Sequence, residues 1–283
     1  MKFSVSSYSF DKYMRTAGAD YYKICDLSKE MGFDAIEFTE LDDRFNGSRG
    51  EDQKDLARKI RDYCNTIGLE ICGYMIGADI LKDRESAVEK ICRDIDVAII
   101  LGAPLVRFDV CYSLPQSCSH RDAIEKMVPY IEHISDYAEI KGIRVCTENH
   151  GYVFQAPDVM EALILAVNRK NYGWLCDVGN FLCVDTDPVA AVTKAMPYTF
   201  HVHFKDFLFK SANQYAPKEF FRTLGGNHLR GTVIGHGVVP AEECADIIKL
   251  SGYDGYVTVE FEGMEEPLDA IKSGLDFLKN NFK

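Results

Sequence analysis

One unit recurs eight times along the 283 residues: a short apolar run rich in β-formers, a polar loop, then an amphipathic helix of roughly 12 to 20 residues. The runs Phe3–Tyr8, Ala35–Phe38, Leu69–Tyr74, Leu105–Asp109, Ile143–Glu148, Gly173–Asp177, Thr199–Lys205 and Gly255–Phe261 read as strands. Between and after them, Tyr21–Met31, Gln53–Ile67, Glu85–Leu101, Ala123–Ile140, Val159–Val167, Pro188–Ala195, Ala241–Leu250 and Leu268–Leu278 read as helices. Gly32, Gly68, Gly102, Gly142 and Gly252 stand just past a helix, where a glycine reverses the chain through the left-handed region, and each leads into a strand. Eight strands joined by right-handed helical crossovers close most simply into a (β/α)8 barrel, an α/β fold. The alternative is an open doubly wound sheet, which ordinarily carries a glycine-rich phosphate loop after its first strand. Tyr8-Ser9-Phe10-Asp11 is not one.

A barrel of this kind routinely forms one domain of ~250 residues, so a single domain over residues 1–283 is expected. The net charge of −12, unrelieved by any Lys/Arg run, repels phosphate backbones and anionic bilayers and argues against nucleic acid or membrane as partner. No stretch approaches the ~18 apolar residues of a membrane span, and the start MKFSVSSYSF alternates polar with apolar residues instead of forming a leader. The ten cysteines are scattered through apolar segments without CxxC spacing, as small core residues of a reduced, cytoplasmic protein would be. Self-association into a homo-oligomer is compatible with the sequence.

Chemistry in such a barrel belongs at the C-terminal ends of the strands. Strand seven carries His201-Val-His-Phe-Lys-Asp206, whose alternation puts His201, His203 and Lys205 on one face and Val202, Phe204 and Asp206 on the other. Strand five ends at Glu148-Asn-His150, strand six at Asp177-Val-Gly-Asn180, and strand eight at Glu260-Phe-Glu262. A lone carboxylate at a strand end is ordinarily a capping or salt-bridged group. Three converging carboxylates, Glu148, Asp177 and Glu260, repel one another unless a cation compensates, and His203 beside them completes a mixed O/N set suited to one divalent ion, Mn²⁺, Mg²⁺, Co²⁺ or Zn²⁺. Glu262 shares the face of Glu260, which is preferred for lying nearer the strand body. Arg107 is expected to meet substrate or to pair with Glu37 or Asp109. The long connection from Asp206 to Val238 reads as a substrate-covering loop, with His228 or Arg230 able to reach the site.

The sequence resembles the sugar isomerase/epimerase superfamily with the xylose isomerase-like barrel. The resemblance rests on Gly32-Phe-Asp-Ala-Ile-Glu37, Thr147-Glu-Asn-His150, Asp177-Val-Gly-Asn180, His203-Phe-Lys-Asp206, Gly235-His-Gly237 and Val259-Glu260. It implies that Glu148, Asp177, His203 and Glu260 are metal ligands and that Glu148 and Glu260 double as the acid/base pair. Many members have His where this chain has Asn180, which can donate a hydrogen bond to a hydroxyl but cannot shuttle a proton. The expected activity is isomerisation or epimerisation of a small ketose, polyol ketone or sugar phosphate through an enediolate, in carbohydrate metabolism. Metal-dependent loss of a β-leaving group is the alternative, and a non-catalytic sugar-binding barrel the second. His150, Asn180, Lys205, Arg107, His236 and Arg230 are the expected substrate contacts. The superfamily's endonuclease branch binds three zinc ions through many more histidines than the seven present here, two of which, His120 and His133, are expected on outer helices.

Overall fold

The computed structural model describes residues 1–42, 45 and 52–283. In chain order the strands are β1 (Lys2–Ser6), β2 (Ala35–Thr39), β3 (Glu70–Ile76), β4 (Leu105–Phe108), β5 (Arg144–Glu148), β6 (Tyr172–Asp177), β7 (Thr199–Phe204), β8 (Asp206–Lys210), β9 (Phe221–Arg222), β10 (His228–Thr232) and β11 (Tyr256–Val259). The helices are α1 (Asp11–Ala17), α2 (Tyr21–Met31), α3 (Gln53–Ile67), α4 (Ile80–Asp83), α5 (Glu85–Leu101), α6 (His120–Ile140), α7 (Pro157–Val167), α8 (Pro188–Ala195), α9 (Ala241–Leu250) and α10 (Pro267–Asn281). Eight parallel strands close in the order β1-β11-β7-β6-β5-β4-β3-β2, so the expected (β/α)8 barrel is the fold.

Local sequence explains most boundaries. All five glycines expected to end helices have positive φ. At Gly32 (φ 93°) the cap N–H donates to the carbonyls of Ser28 and Lys29, and the chain turns directly toward β2. Helix α6 begins earlier than its apolar periodicity indicates. Ser119 and Asp122 form a reciprocal capping box there, and Pro129 lies inside the helix. The last barrel strand is shorter than expected, which puts Glu260 just past its end.

Most of the core packs the outer strand faces against the helices. The barrel interior is divided. Leu105, Cys146, Leu175 and Met75 form a small apolar cluster. By alternation Leu105, Cys146 and Leu175 stand one layer below Arg107, Glu148 and Asp177. On the other side the corresponding layer is polar: His201 lies below His203 and Thr258 below Glu260, with Ser4 and Glu37 beside them, all at most 1% exposed.

The connection from Asp206 onward corrects the expectation of a covering loop. It contains a three-stranded antiparallel sheet, β8-β10-β9, with Arg230 opposite Leu208 and Gly231 opposite Phe207. Its alternating Phe207, Phe209 and Leu229 suit pairing, which gives the backbone donors partners that a loop would lack. All ten cysteines are free thiols, eight of them buried. Among the described residues no helix is long and apolar enough to cross a membrane.

Candidate metal centre and active site

Four consecutive barrel strands, β5, β6, β7 and β11, bring Glu148, Asp177, His203 and Glu260 together at their C-terminal ends. One ligand atom from each lies within 4.8 Å of the others, and the four side chains are buried. Short-range features hold each of them. Asp177 Oδ1 accepts from the backbone N–H of Gly179 (2.9 Å) and Asn180 (2.8 Å). Residue 179 must be glycine, because a Cβ there would stand 2.6 Å from Lys205 Cγ. Asn149, fully buried, fixes the same turn: its Nδ2 donates to the Asp177 carbonyl (2.8 Å) and its Oδ1 accepts from Asp177 N–H and Trp174 Nε1 (3.0 Å each).

The charges are arranged in two groups. Arg107 Nη2 lies 2.6 Å from Glu148 Oε2 and 2.9 Å from Asp109 Oδ1, while Asn180 Nδ2 donates to Glu148 Oε1 at 2.9 Å. Of the two partners expected for Arg107, Asp109 is found and Glu37 is not. Across the barrel, Lys205 Nζ lies 2.5 Å from Glu260 Oε2, 3.3 Å from Asp177 Oδ2 and 3.6 Å from Glu262 Oε2. His203 Nε2 is 2.9 and 3.1 Å from the two Glu37 oxygens, and its Nδ1 faces Glu260 Oε2 at 3.5 Å.

These contacts move the proton affinities. Burial pushes the Asp177 carboxyl up to about 7, against the pull of Lys205 and with the help of Glu148. For Glu260 burial acts in the same direction, but Lys205 and His203 outweigh it and hold the carboxyl well below its usual range. Burial would lower His203, yet Glu37 and Glu260 raise it well above an ordinary histidine. Glu37 itself, between two imidazoles, is held at about 2 despite complete burial.

The donor set fits a divalent cation. Asp177 Oδ2 and His203 Nδ1 are buried and have no hydrogen-bond partner, an arrangement that costs free energy unless something else occupies those lone pairs. Three carboxylate oxygens and one imidazole nitrogen, without thiolate, are what borderline and hard divalent ions accept.

A cavity of about 390 Å³ opens over the set, lined among others by Tyr8, Met75, Arg107, Glu148, His150, His203, Lys205, Glu260 and Glu262. Of the expected substrate contacts, Arg107, His150 and Lys205 face it. Asn180 touches Glu148. Arg230 does not line the cavity: its guanidinium sits over the Phe220 ring at 5.5 Å. His236 is an exposed turn residue, also away from it, whose N–H donates to Val233 O (2.9 Å). Both belong to the segment that strand pairing directs beside the mouth. His120 and His133 lie on α6, as expected.

Residues that sequence reading undervalued are Glu37, Asp109 and Tyr112. Tyr112 Oη donates to Asp109 Oδ2 at 3.0 Å, and His150 Nδ1 lies 3.2 Å from Asp109 Oδ1. For Glu37 a signal was present, a charged residue inside the apolar run Ala35-Ile36-Glu37-Phe38.

Comparison with known proteins bears on the whole arrangement. The inosose dehydratase of Lacticaseibacillus casei is 25% identical over 50% of this chain and 48% of that enzyme. That of Lactiplantibacillus plantarum is 26% identical over 75% of this chain and 76% of its own length. The chain thus spans about half the length of the first curated relatives it matches. Among solved structures, the IolI protein with a bound zinc atom superposes with a TM-score of 0.78 at 17% identity, covering 100% of this chain and 98% of that one. The probable 3-DHS dehydratase AsbF of Bacillus anthracis gives 0.77 at 20% identity, over 99% of each chain. An L-ribulose 3-epimerase gives 0.75 at 16%, over 99% and 94%. At these identities the structures speak for the fold alone. Residues 25–281 match the family described as Xylose isomerase-like TIM barrel, and the chain belongs to that family.

Proposed function

We propose that this protein is a metal-dependent enzyme that removes a proton from the carbon beside the carbonyl of a small ketose or polyol ketone, with isomerisation or epimerisation as the outcome. The observation that carries the reading is the convergence of Glu148, Asp177, His203 and Glu260, with two buried ligand atoms that make no hydrogen bond, beneath a cavity that Glu148 and Glu260 both line. A divalent ion held there would supply Lewis acidity to substrate oxygens. The chain's own residues do the rest. One of the two glutamates takes the proton and the other returns one from a different direction, as strands five and eight of the barrel allow. Arg107 pairs with Glu148 while Asn180 fixes its rotamer. Lys205 and His150 point donors at substrate oxygens, and closure of the barrel floor excludes water from below.

A second reading, dehydration, is favoured by the unlike neighbours of the two glutamates and by the dehydratases among the sequence relatives. Arg107 cannot give up a proton, whereas Lys205 beside Glu260 can. That asymmetry suits a base on one side and a donor to a departing hydroxyl on the other. The test is incubation of metal-loaded protein with ketoses and inososes in deuterated water. Deuterium in recovered substrate or its isomer supports the first reading. An unsaturated product absorbing in the ultraviolet supports the second. No exchange and no product with any of them sinks both.

A further inference from the structure

We infer that Glu37 is the positioning residue that presents His203 to the metal through Nδ1, and that His201 holds Glu37 in place for this task. The inference rests on the metal centre of the preceding reading, but it concerns residues that contact neither substrate nor ion. An ionised carboxylate only accepts hydrogen bonds, so each imidazole nitrogen facing Glu37 must carry a proton. His203 Nε2 lies 3.1 Å from Glu37 Oε2, and His201 Nε2 lies 2.8 Å from the same oxygen. With the proton of a neutral His203 fixed on Nε2, the lone pair is on Nδ1. This is the nitrogen that faces Glu260 and has no other partner.

The chain of contacts continues downward. His201 Nε2 is also 2.9 Å from Thr258 Oγ1, which is 2.6 Å from Ser4 Oγ. All five side chains are at most 1% exposed, so no water competes for these bonds. A carboxylate at this depth would be costly alone and is stabilised by two imidazole donors. Glu37, Cys72 and His201 also lie close enough to suggest a separate metal group. The hydrogen bonding speaks against it, since the His201 nitrogen turned toward Glu37 is a proton carrier without a free lone pair. Carboxylate partners of metal-bound histidines fix the ring's tautomer and orientation, and losing one typically costs ~10–100-fold in affinity.

The experiment titrates zinc-free protein with Zn²⁺ against a chelating indicator, for wild type, Glu37→Gln, Glu37→Ala and His201→Gln, with circular dichroism reporting the fold. Wild type should bind one ion per chain. Glu37→Gln, which keeps an acceptor but loses the charge, should bind ~10-fold more weakly, and Glu37→Ala toward ~100-fold, with His201→Gln closer to wild type. Nitrogen-15 NMR of the Zn²⁺-loaded wild type should show His203 protonated at Nε2 and metal-bound at Nδ1. If Glu37→Ala does not fold, Glu37→Gln and the NMR assignment still decide. Wild-type affinity in folded Glu37→Gln, ligation through His203 Nε2, or two ions per chain would each overturn the inference while leaving a metal centre in place. A wild type that binds no Zn²⁺ or Mn²⁺ overturns the metal reading itself.

Discussion

The two halves of the barrel interior meet the same demand, several carboxylates at one mouth, by different means. On the half formed by β4, β5 and β6, Glu148 and Asp177 stand above an apolar floor of Leu105, Cys146 and Leu175. Charge there is balanced from the side, by the permanently charged Arg107. On the half formed by β7, β11, β1 and β2, Glu260 and His203 stand above a polar floor of His201, Thr258, Ser4 and Glu37. Balance there comes from groups that can gain or lose a proton, Lys205 and His203. The lesson is that residues of one chemical type acquire unlike proton affinities from what lies beneath and beside them: burial raises Asp177 on one half, while Lys205 and His203 hold Glu260 low on the other.

The largest expected effect tests whether both halves are needed. Glu148→Gln and Glu260→Gln, assayed with metal in excess, should each lose at least ~10²-fold in turnover, the usual scale of general acid–base catalysis. Near-native turnover in both, with metal retained, would break the two-glutamate reading; loss in only one would assign the base to one half. Next in size is the side balance. Arg107→Met takes the guanidinium from buried Glu148 and Asp109, leaving them only Asn180, Tyr112 and His150, and should destabilise the fold by up to ~3–5 kcal/mol, read by urea denaturation. A loss below ~1 kcal/mol would mean that solvent already screens the pair.

One ligand from each half, Asp177 and His203, makes a prediction about pH. Metal must displace the proton of His203, which Glu37 and Glu260 raise well above an ordinary histidine, and below about 7 also that of Asp177. As pH is lowered, Zn²⁺ affinity should therefore weaken by about tenfold per unit down to neutrality, and more steeply below it. Proton release, from calorimetry in buffers of different ionisation enthalpy, should approach two per ion near pH 6. Affinity independent of pH between 6 and 8 would show that neither group holds its proton. The smallest effect belongs at the rim, where the half-exposed His150 side chain pairs with Asp109. His150→Asn should raise KM by less than ~10-fold and leave kcat and metal content nearly unchanged, since Asn keeps a hydrogen-bond donor at a wet site. A collapse in kcat would place His150 in proton transfer instead.

Much of this site was legible before any coordinates. Glu148, Asp177 and His203 end strands or stand near their ends, and Glu260 lies just past one. The rule that barrel chemistry gathers there identified them from chain order alone. Other roles were not legible, because alternation tells which face a residue takes and nothing about its partner across the barrel. Arg107 could have met Glu37 or Asp109 from sequence, and closure of the sheet gave it Asp109 and Glu148. Arg230 was drawn toward the site by being polar in a long connection and His236 by the Gly235-His-Gly237 motif; strand pairing set Arg230 opposite Leu208, and His236 falls on an exposed turn.

What the sequence determined by itself was periodic and local: eight strand–helix units, the glycine turns that set their spacing, and which side chains point inward. Those properties depend on neighbours within a few residues, so they can be read along one dimension. What only the tertiary structure decided was convergence. Glu37 reaches His201 and His203 from 164 and 166 residues away, and Lys205 is set among three carboxylates from the ends of two other strands. Interactions of a few ångströms between such distant positions exist only once the barrel has closed. Burial then strengthens them by removing the water that would otherwise screen each charge.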